Sequence, residues 1–389
     1  MKKSSNKAPT KNKKLKIAFN LAQLYALPEA TRGGIFAPLT LTQDIIEGLV
    51  ARGHHVTFYG PPGVKTKAQK NVSGDVRAMR KDLRDLKLSF SEYHEQYGPR
   101  FNNAYHHHEN TLASALIQDE QKGKFDIIHD YHSQLLVYLA PTIKTPTVFT
   151  LHDPAPKGQF GQIHFQDRMK MYAKNNYIAI SKRQGQLMPG INVKKVIHHG
   201  ISLRHWKFQV KAKGDYLAFL GRITPKKGLH TAIEVAKQTG LKLRIVGKPF
   251  SDRPDSYWAK KIKPQIDGKQ IIYDGYHNPK EHKYLSDFLG NAKAFLMPIE
   301  WEEPFGLVMI EAMATGTPVI AFKKGSVPEI VQHKKTGFVV NTKAQMINAV
   351  KDVDQIKRAN CRRHVEKNFS IERMVDDHEK LYSRLAKGK

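Results

Sequence analysis

The chain has 389 residues, 64 of them Lys or Arg against 35 Asp or Glu, giving a formal net charge of +29. That length exceeds one ordinary core and fits two domains, and an apolar share of 40% excludes a disordered chain. No apolar run approaches the ~18–20 residues of a membrane-spanning helix, and a single cysteine, Cys361, excludes a disulfide framework and fits a reducing cytoplasm.

Seven lysines and no acidic residue fall within the first 16 positions. Polar residues follow where a secretory leader carries its apolar stretch, so no leader is expected. This basic start reads either as a solvated tail or as a weak tether to anionic lipid at the inner face of the membrane, and a cytoplasmic location is expected in both cases. The net charge points to anionic partners: phosphorylated substrates, acidic lipid or nucleic acid.

Short β-branched runs then alternate with helical patterns. Leu15 to Asn20 reads as a first strand, and a long loop ends in Arg32-Gly33-Gly34 before a helix starting near Phe36. Val56 to Tyr59, Phe125 to His129, Thr147 to Leu151, Tyr177 to Ile180 and Val196 to His199 continue the strand series. The charged, weakly periodic stretch from Lys65 to Arg100 reads as a loop or mobile helix outside the core. His106, His107 and His108 read as chance surface residues, because adjacent side chains cannot converge on one ion.

A second series follows Gly200: Tyr216 to Gly221, Leu243 to Gly247, Ile271 to Asp274, Ala294 to Met297 and Pro318 to Phe322. Alternating strands and helices predict an α/β fold with two doubly wound parallel sheets facing a cleft. The basic, weakly apolar stretch Ser202 to Gly214 places the boundary between residues 1–205 and 206–370. The amphipathic segment Ile371 to Leu385 is expected to cross back onto the first domain. Asp352-Val353-Asp354 reads as a solvated helix face rather than a metal motif.

Three segments carry chemistry. WEEPFGLVMIEAMATGTP, from Trp301 to Pro318, predicts a helix from Pro304 to about Ala314, with free amides at Phe305, Gly306, Leu307 and Val308 to seat a phosphate or sugar. Glu303 and Glu311 flank that helix start, separated along it by about 12 Å. Hydrolase carboxyl pairs stand closer, so the two suit grasping separate parts of one extended ligand. Arg222 and Lys227 sit at a strand-to-helix turn, where two cations can flank a pyrophosphate. Gly33 and Gly34 allow close backbone approach to a ligand. The loop before them is too long for a GxGxxG fingerprint and no acidic residue closes the second strand, so NAD binding is not expected.

In this order the segments resemble glycosyltransferase family four, the large retaining group with the GT-B fold of two Rossmann-like domains. The resemblance rests on Gly33-Gly34, Thr150-Leu151-His152-Asp153, Ala179-Ile180-Ser181, His199-Gly200-Ile201, Gly221-Arg222 through Lys227-Gly228, and above all Glu303 to Glu311. It implies that Glu303 holds donor-sugar hydroxyls, Glu311 the ribose, and Arg222 and Lys227 the diphosphate, with amides at Gly34 and Gly306-Leu307. Gly275, Tyr276 and His277 would meet the base, and His152 the reacting sugar. It further implies a metal-independent hexosyltransferase without a cofactor, using UDP-glucose first or GDP-mannose second. The acceptor stays open between glycan, lipid-linked, phosphorylated and small-molecule classes. Alternatives are a sugar phosphorylase on this scaffold or a non-catalytic binder of anionic surfaces or nucleic acid. No nucleic-acid module is visible, so nucleic acid is not an expected partner.

Overall fold

The computed structural model describes residues 13–31, 36–131, 135–152, 170–251, 253–278 and 281–388. Gly33, Gly34 and Asp153 lie outside them. The first seven strands are β1 (Lys16–Asn20), β2 (His55–Gly60), β3 (Lys70–Ser73), β4 (Ile127–Asp130), β5 (Thr147–Leu151), β6 (Asn176–Ala179) and β7 (Val193–Val196). They form one sheet in the order β3-β2-β1-β4-β5-β6-β7, with each neighbouring pair parallel. The second sheet uses β8 (Tyr216–Leu220), β9 (Lys242–Val246), β10 (Ile271–Gly275), β11 (Ala294–Met297), β12 (Val319–Phe322) and β13 (Gly337–Val340). Its order is β10-β9-β8-β11-β12-β13, again parallel. Helices cover both faces, so central strands such as β4 and β11 are buried along their whole length, and β11 reads as an unbroken apolar run.

In each sheet the strand order reverses once, between β1 and β4 and between β8 and β11. Ligands of such sheets bind beyond the carboxyl ends of the strands at that reversal. The loops after β8 and β11 carry Arg222, Lys227 and Glu303, so the second sheet's reversal lies among the residues singled out by their chemistry.

The stretch from Lys65 to Arg100 departs from expectation. It supplies β3 and the helices Arg77–Asp85 and Phe90–Gln96. Val76, Met79, Phe90 and Tyr93 form a small core there with Leu24, Leu27, Phe101 and Tyr105. Its apolar residues are few but large, and they pack on the Gly98–Gln121 helix, which also buries His108 completely. Of the three consecutive histidines, only His106 and His107 face outward, and His107 pairs with Asp75 at 3.3 Å.

The helix Ile371–Lys387 returns to the first sheet. Met374, Val375, Leu381 and Tyr382 join Ile17, Ile45 and Val148 in its core. The Tyr382 hydroxyl meets His129 Nδ1 at 2.5 Å, and His129 Nε2 meets Thr150 Oγ1 at 2.7 Å. Burial holds His129 well below its ordinary pKa, so the ring is neutral. The intervening segment is already part of the second domain at Trp206, which packs in that domain's core.

Candidate active site

Two loops at the second sheet's reversal are pressed together. After β8 the chain passes Gly221 and Arg222 into one tight turn, Pro225–Lys227, and then Gly228 opens the helix Leu229–Thr239. Gly228 has φ +71°, and a Cβ there would lie 1.9 Å from the Pro298 carbonyl oxygen of the loop after β11. The Glu300 amide donates to the Lys226 carbonyl at 2.9 Å, closing the same seam.

That seam fixes an ion pair. Lys227 Nζ donates to Glu303 Oε2 at 2.5 Å, and Trp301 Nε1 donates to the same oxygen at 2.9 Å. The Lys227 ammonium also lies 5.2 Å from the centre of the Trp301 ring. Glu303 is 8% exposed, so its charge is held by these two donors rather than by water. Beside the pair opens a cavity of about 550 Å³ lined by Arg222, Lys226, Lys227, Arg253, Phe250 and Trp301. Four cations and four aromatic rings, counting Tyr257 and Trp258, make this a pocket for a polyanion with flat or hydroxylated parts.

The helix after this loop begins later than expected. It spans Leu307–Ala314, with Gly306 at its N-cap in the left-handed region, φ +81°. Pro304 and Phe305 therefore belong to the loop, and the amides that head the helix are those of Leu307 and Val308. Glu311 lies in the second turn. It keeps part of its surface, but its carboxyl lies deep enough that desolvation pushes it up to about 7. An ionised carboxylate accepts from ligand hydroxyls more strongly than the neutral acid does. Binding of a hydroxylated ligand at this carboxylate is therefore expected to strengthen as pH rises through about 7 and to level off above it. Glu311→Gln should flatten that profile, and calorimetric titration between pH 5.5 and 8 measures it.

At the end of β10, Asp274 is occupied by Arg244 at 2.9 Å. The carbonyl of Gly275 accepts from Gly247, and the Lys248 ammonium lies 5.9 Å from the Tyr276 ring. His277 stacks on Tyr284 with ring centres 3.6 Å apart and pairs with Glu281 at 2.8 Å. These contacts fix a flat aromatic edge beside the strand end.

From the first domain, His152 follows β5. Its ring sits edge-on to Tyr131 at 4.4 Å and parallel to His199 at 5.7 Å, and His199 lies 5.0 Å from Phe305. A line of rings thus runs from the ends of β4 and β5 to the loop holding Glu303. Burial lowers the His199 pKa to about 3, so the line carries no charge at His199. Sequence reasoning missed Tyr131, Trp301 and Glu302 as members of this region. Two adjacent glutamates after a tryptophan in a basic protein were the available signal.

Two family models cover most of the chain: Glycosyltransferase Family 4 matches residues 40–205 and Glycosyl transferases group 1 matches residues 202–370. The chain belongs to glycosyltransferase family four. The family-four chain is 29% identical over 148 residues to the lipopolysaccharide 1,2-N-acetylglucosaminetransferase of Salmonella typhimurium, covering 36% of this chain and 38% of that relative. Curated relatives are thus matched over part of their length. Solved structures match along almost the whole chain. Sucrose-phosphate synthase from Thermosynechococcus elongatus gives a TM-score of 0.68 at 19% identity, covering 96% of this chain and 100% of that one. Anabaena HepE in complex with UDP-glucose gives 0.62 at 16%, covering 94% and 99%. At such identities the likeness is one of fold, and the fold of this family-four chain is GT-B.

Among the described residues of the family-four chain, no group of three His, Cys, Asp or Glu side chains stands ready to hold a metal ion. Asp354 of the Asp352–Asp354 pair is engaged by Lys293 at 2.7 Å. Nor is any described helix long and apolar enough to cross a membrane.

Proposed function

We propose that this chain transfers a hexose from a nucleotide-sugar to an acceptor and keeps the anomeric configuration. The observation that carries the reading is the Lys227–Glu303 pair at the mouth of the Arg222-lined cavity, on the two loops at the sheet's reversal. An arriving diphosphate competes for the Lys227 ammonium, and its withdrawal frees a lone pair of Glu303 for a sugar hydroxyl. One binding event then arms both groups. The bond between the anomeric carbon and the phosphate oxygen breaks while the acceptor oxygen bonds that carbon on the same face. The acceptor's proton passes to the leaving phosphate oxygen. Arg222 and Lys227 stabilise the charge growing on the diphosphate, Glu311 and the Leu307 and Val308 amides hold the nucleotide, and His152 borders the reacting sugar.

No step calls on a metal ion. UDP-glucose is the first donor to test, supported by the fold shared with a neighbour captured with that molecule, and GDP-mannose is the second. The basic first domain favours a phosphorylated or lipid-linked acceptor. The test is nucleotide release from UDP-, GDP- and ADP-sugars with chelator present, beside Glu311→Ala. Release from one donor that the substitution abolishes is the expected result. No release from any donor, or turnover only with inorganic phosphate, would replace this reading with a binder or a phosphorylase.

A further inference from the structure

The two adjacent glutamates of the donor loop face different domains. Glu303 turns to Lys227 and Trp301 beside the cavity, whereas Glu302 turns across the cleft to Arg183, in the short helix Lys182–Gln186 that follows β6. Arg183 Nε donates to Glu302 Oε2 at 2.9 Å, and its Nη2 donates to Oε1 at 3.1 Å. A guanidinium fork on both carboxylate oxygens fixes angle as well as distance. A second crossing lies beside it. The amides of Lys182 and Arg183 each donate to Glu329 at 2.8 Å, and His198 Nε2 meets the same carboxylate at 3.0 Å.

Glu302 cannot move without Glu303. The Gly325 amide donates to Glu302 Oε2 at 3.1 Å, the Ser326 amide donates to the Glu303 carbonyl at 2.9 Å, and a Cβ on Gly325 would come within 2.3 Å of the Glu303 backbone. We propose that Arg183 is a positioning residue: by gripping Glu302 from the first domain, it sets the donor loop so that Glu303 meets the sugar when the two domains close. The inference rests on the nucleotide-sugar reading above and adds a residue that acts through another. The pair is partly exposed, 43% at Arg183 and 22% at Glu302. Such pairs hold weakly and open readily, as a contact remade in every cycle must.

The experiment compares Arg183→Gln, Glu302→Gln and the double variant with the wild type, reading kcat, the Kd for UDP and GDP, and the thermal midpoint. Each single variant should lose about tenfold in kcat, less than the ~10²-fold that a 1 Å misplacement of a reacting group can cost, because the neighbouring crossing at Glu329 keeps part of the alignment. Nucleotide Kd should stay within about twofold, because the groups assigned to the nucleotide in the reading above, Arg222, Lys227, Glu311 and the Leu307 and Val308 amides, all belong to the second domain and do not touch Arg183. The double variant should be no slower than either single one, as members of a single unit behave. Wild-type kcat in Arg183→Gln, a matching loss of nucleotide affinity, or multiplicative losses in the double variant would overturn the proposal. Arg183→Lys, which keeps the charge without the fork, gives the same readouts should the glutamine variant fold poorly, with a smaller kcat loss expected. If the wild type releases nucleotide from no donor, the transfer reading has failed, and small-angle scattering then tests the clasp alone. Arg183→Gln should have a larger radius of gyration than the wild type, and equal radii would overturn it.

Discussion

Lys227→Ala is expected to lower kcat/KM for nucleotide release by about 10²- to 10³-fold, the usual scale for removing one preplaced charge from a leaving group. The substitution does two separable things. On the proposed reading it withdraws positive charge from the diphosphate, and it strands Glu303, a nearly buried carboxylate that keeps the Trp301 Nε1 hydrogen bond but loses its cation. Breaking a buried pair on one side costs about 3 kcal/mol of domain stability. Adding Glu303→Gln removes the stranded charge, so the double variant should regain most of that stability and none of the rate. Denaturant unfolding alongside single-turnover release resolves the two effects. A rate loss below tenfold in Lys227→Ala would mean that this ammonium does not reach the diphosphate.

Gly228→Ala is expected to be more damaging to the fold than its size suggests. The new methyl meets the Pro298 carbonyl at 1.9 Å, and the backbone at φ +71° is unfavourable for any side chain. Together these should cost about 3–4 kcal/mol. The loops after β8 and β11 must part to admit the methyl, so donor affinity should fall as well. Gly268 provides the control. Its φ is +68° and nothing lies within 4 Å of a Cβ there, so Gly268→Ala should cost only the backbone term of about 1–2 kcal/mol. Urea titration of both variants decides the matter, and equal losses would show that the seam yields.

The parallel sheets were legible because their strands, buried on both faces, leave uninterrupted apolar runs such as Ala294–Met297. Strand β3 left no such trace. Lys70–Ser73 is an edge strand with hardly any burial, held by its backbone bonds to β2. The helix after Glu303 was misplaced by two or three residues because Pro304 satisfies the rule for a first turn, while Gly306 adopts the left-handed φ that sets the true start. Residue types identified Lys227 and Glu303 as candidates, but a contact across 76 positions is a product of the sheet order. The same holds for Arg183 and Glu302, 119 positions apart. Nothing local to Arg183 distinguishes it from the many other cations of a chain this basic.

The returning helix Ile371–Lys387 also bears on how the molecule is made. All seven strands of the first sheet precede residue 200, yet the core they enclose stays open until Tyr382 reaches His129, 253 positions earlier. The second sheet, by contrast, is built from one continuous stretch between Tyr216 and Val340. During vectorial synthesis the second unit can therefore fold to completion while the first waits with an uncovered apolar face. A nascent chain in that interval offers a chaperone or a neighbouring ribosome's product a sticky surface, and the waiting period lengthens with every pause between codons 200 and 371.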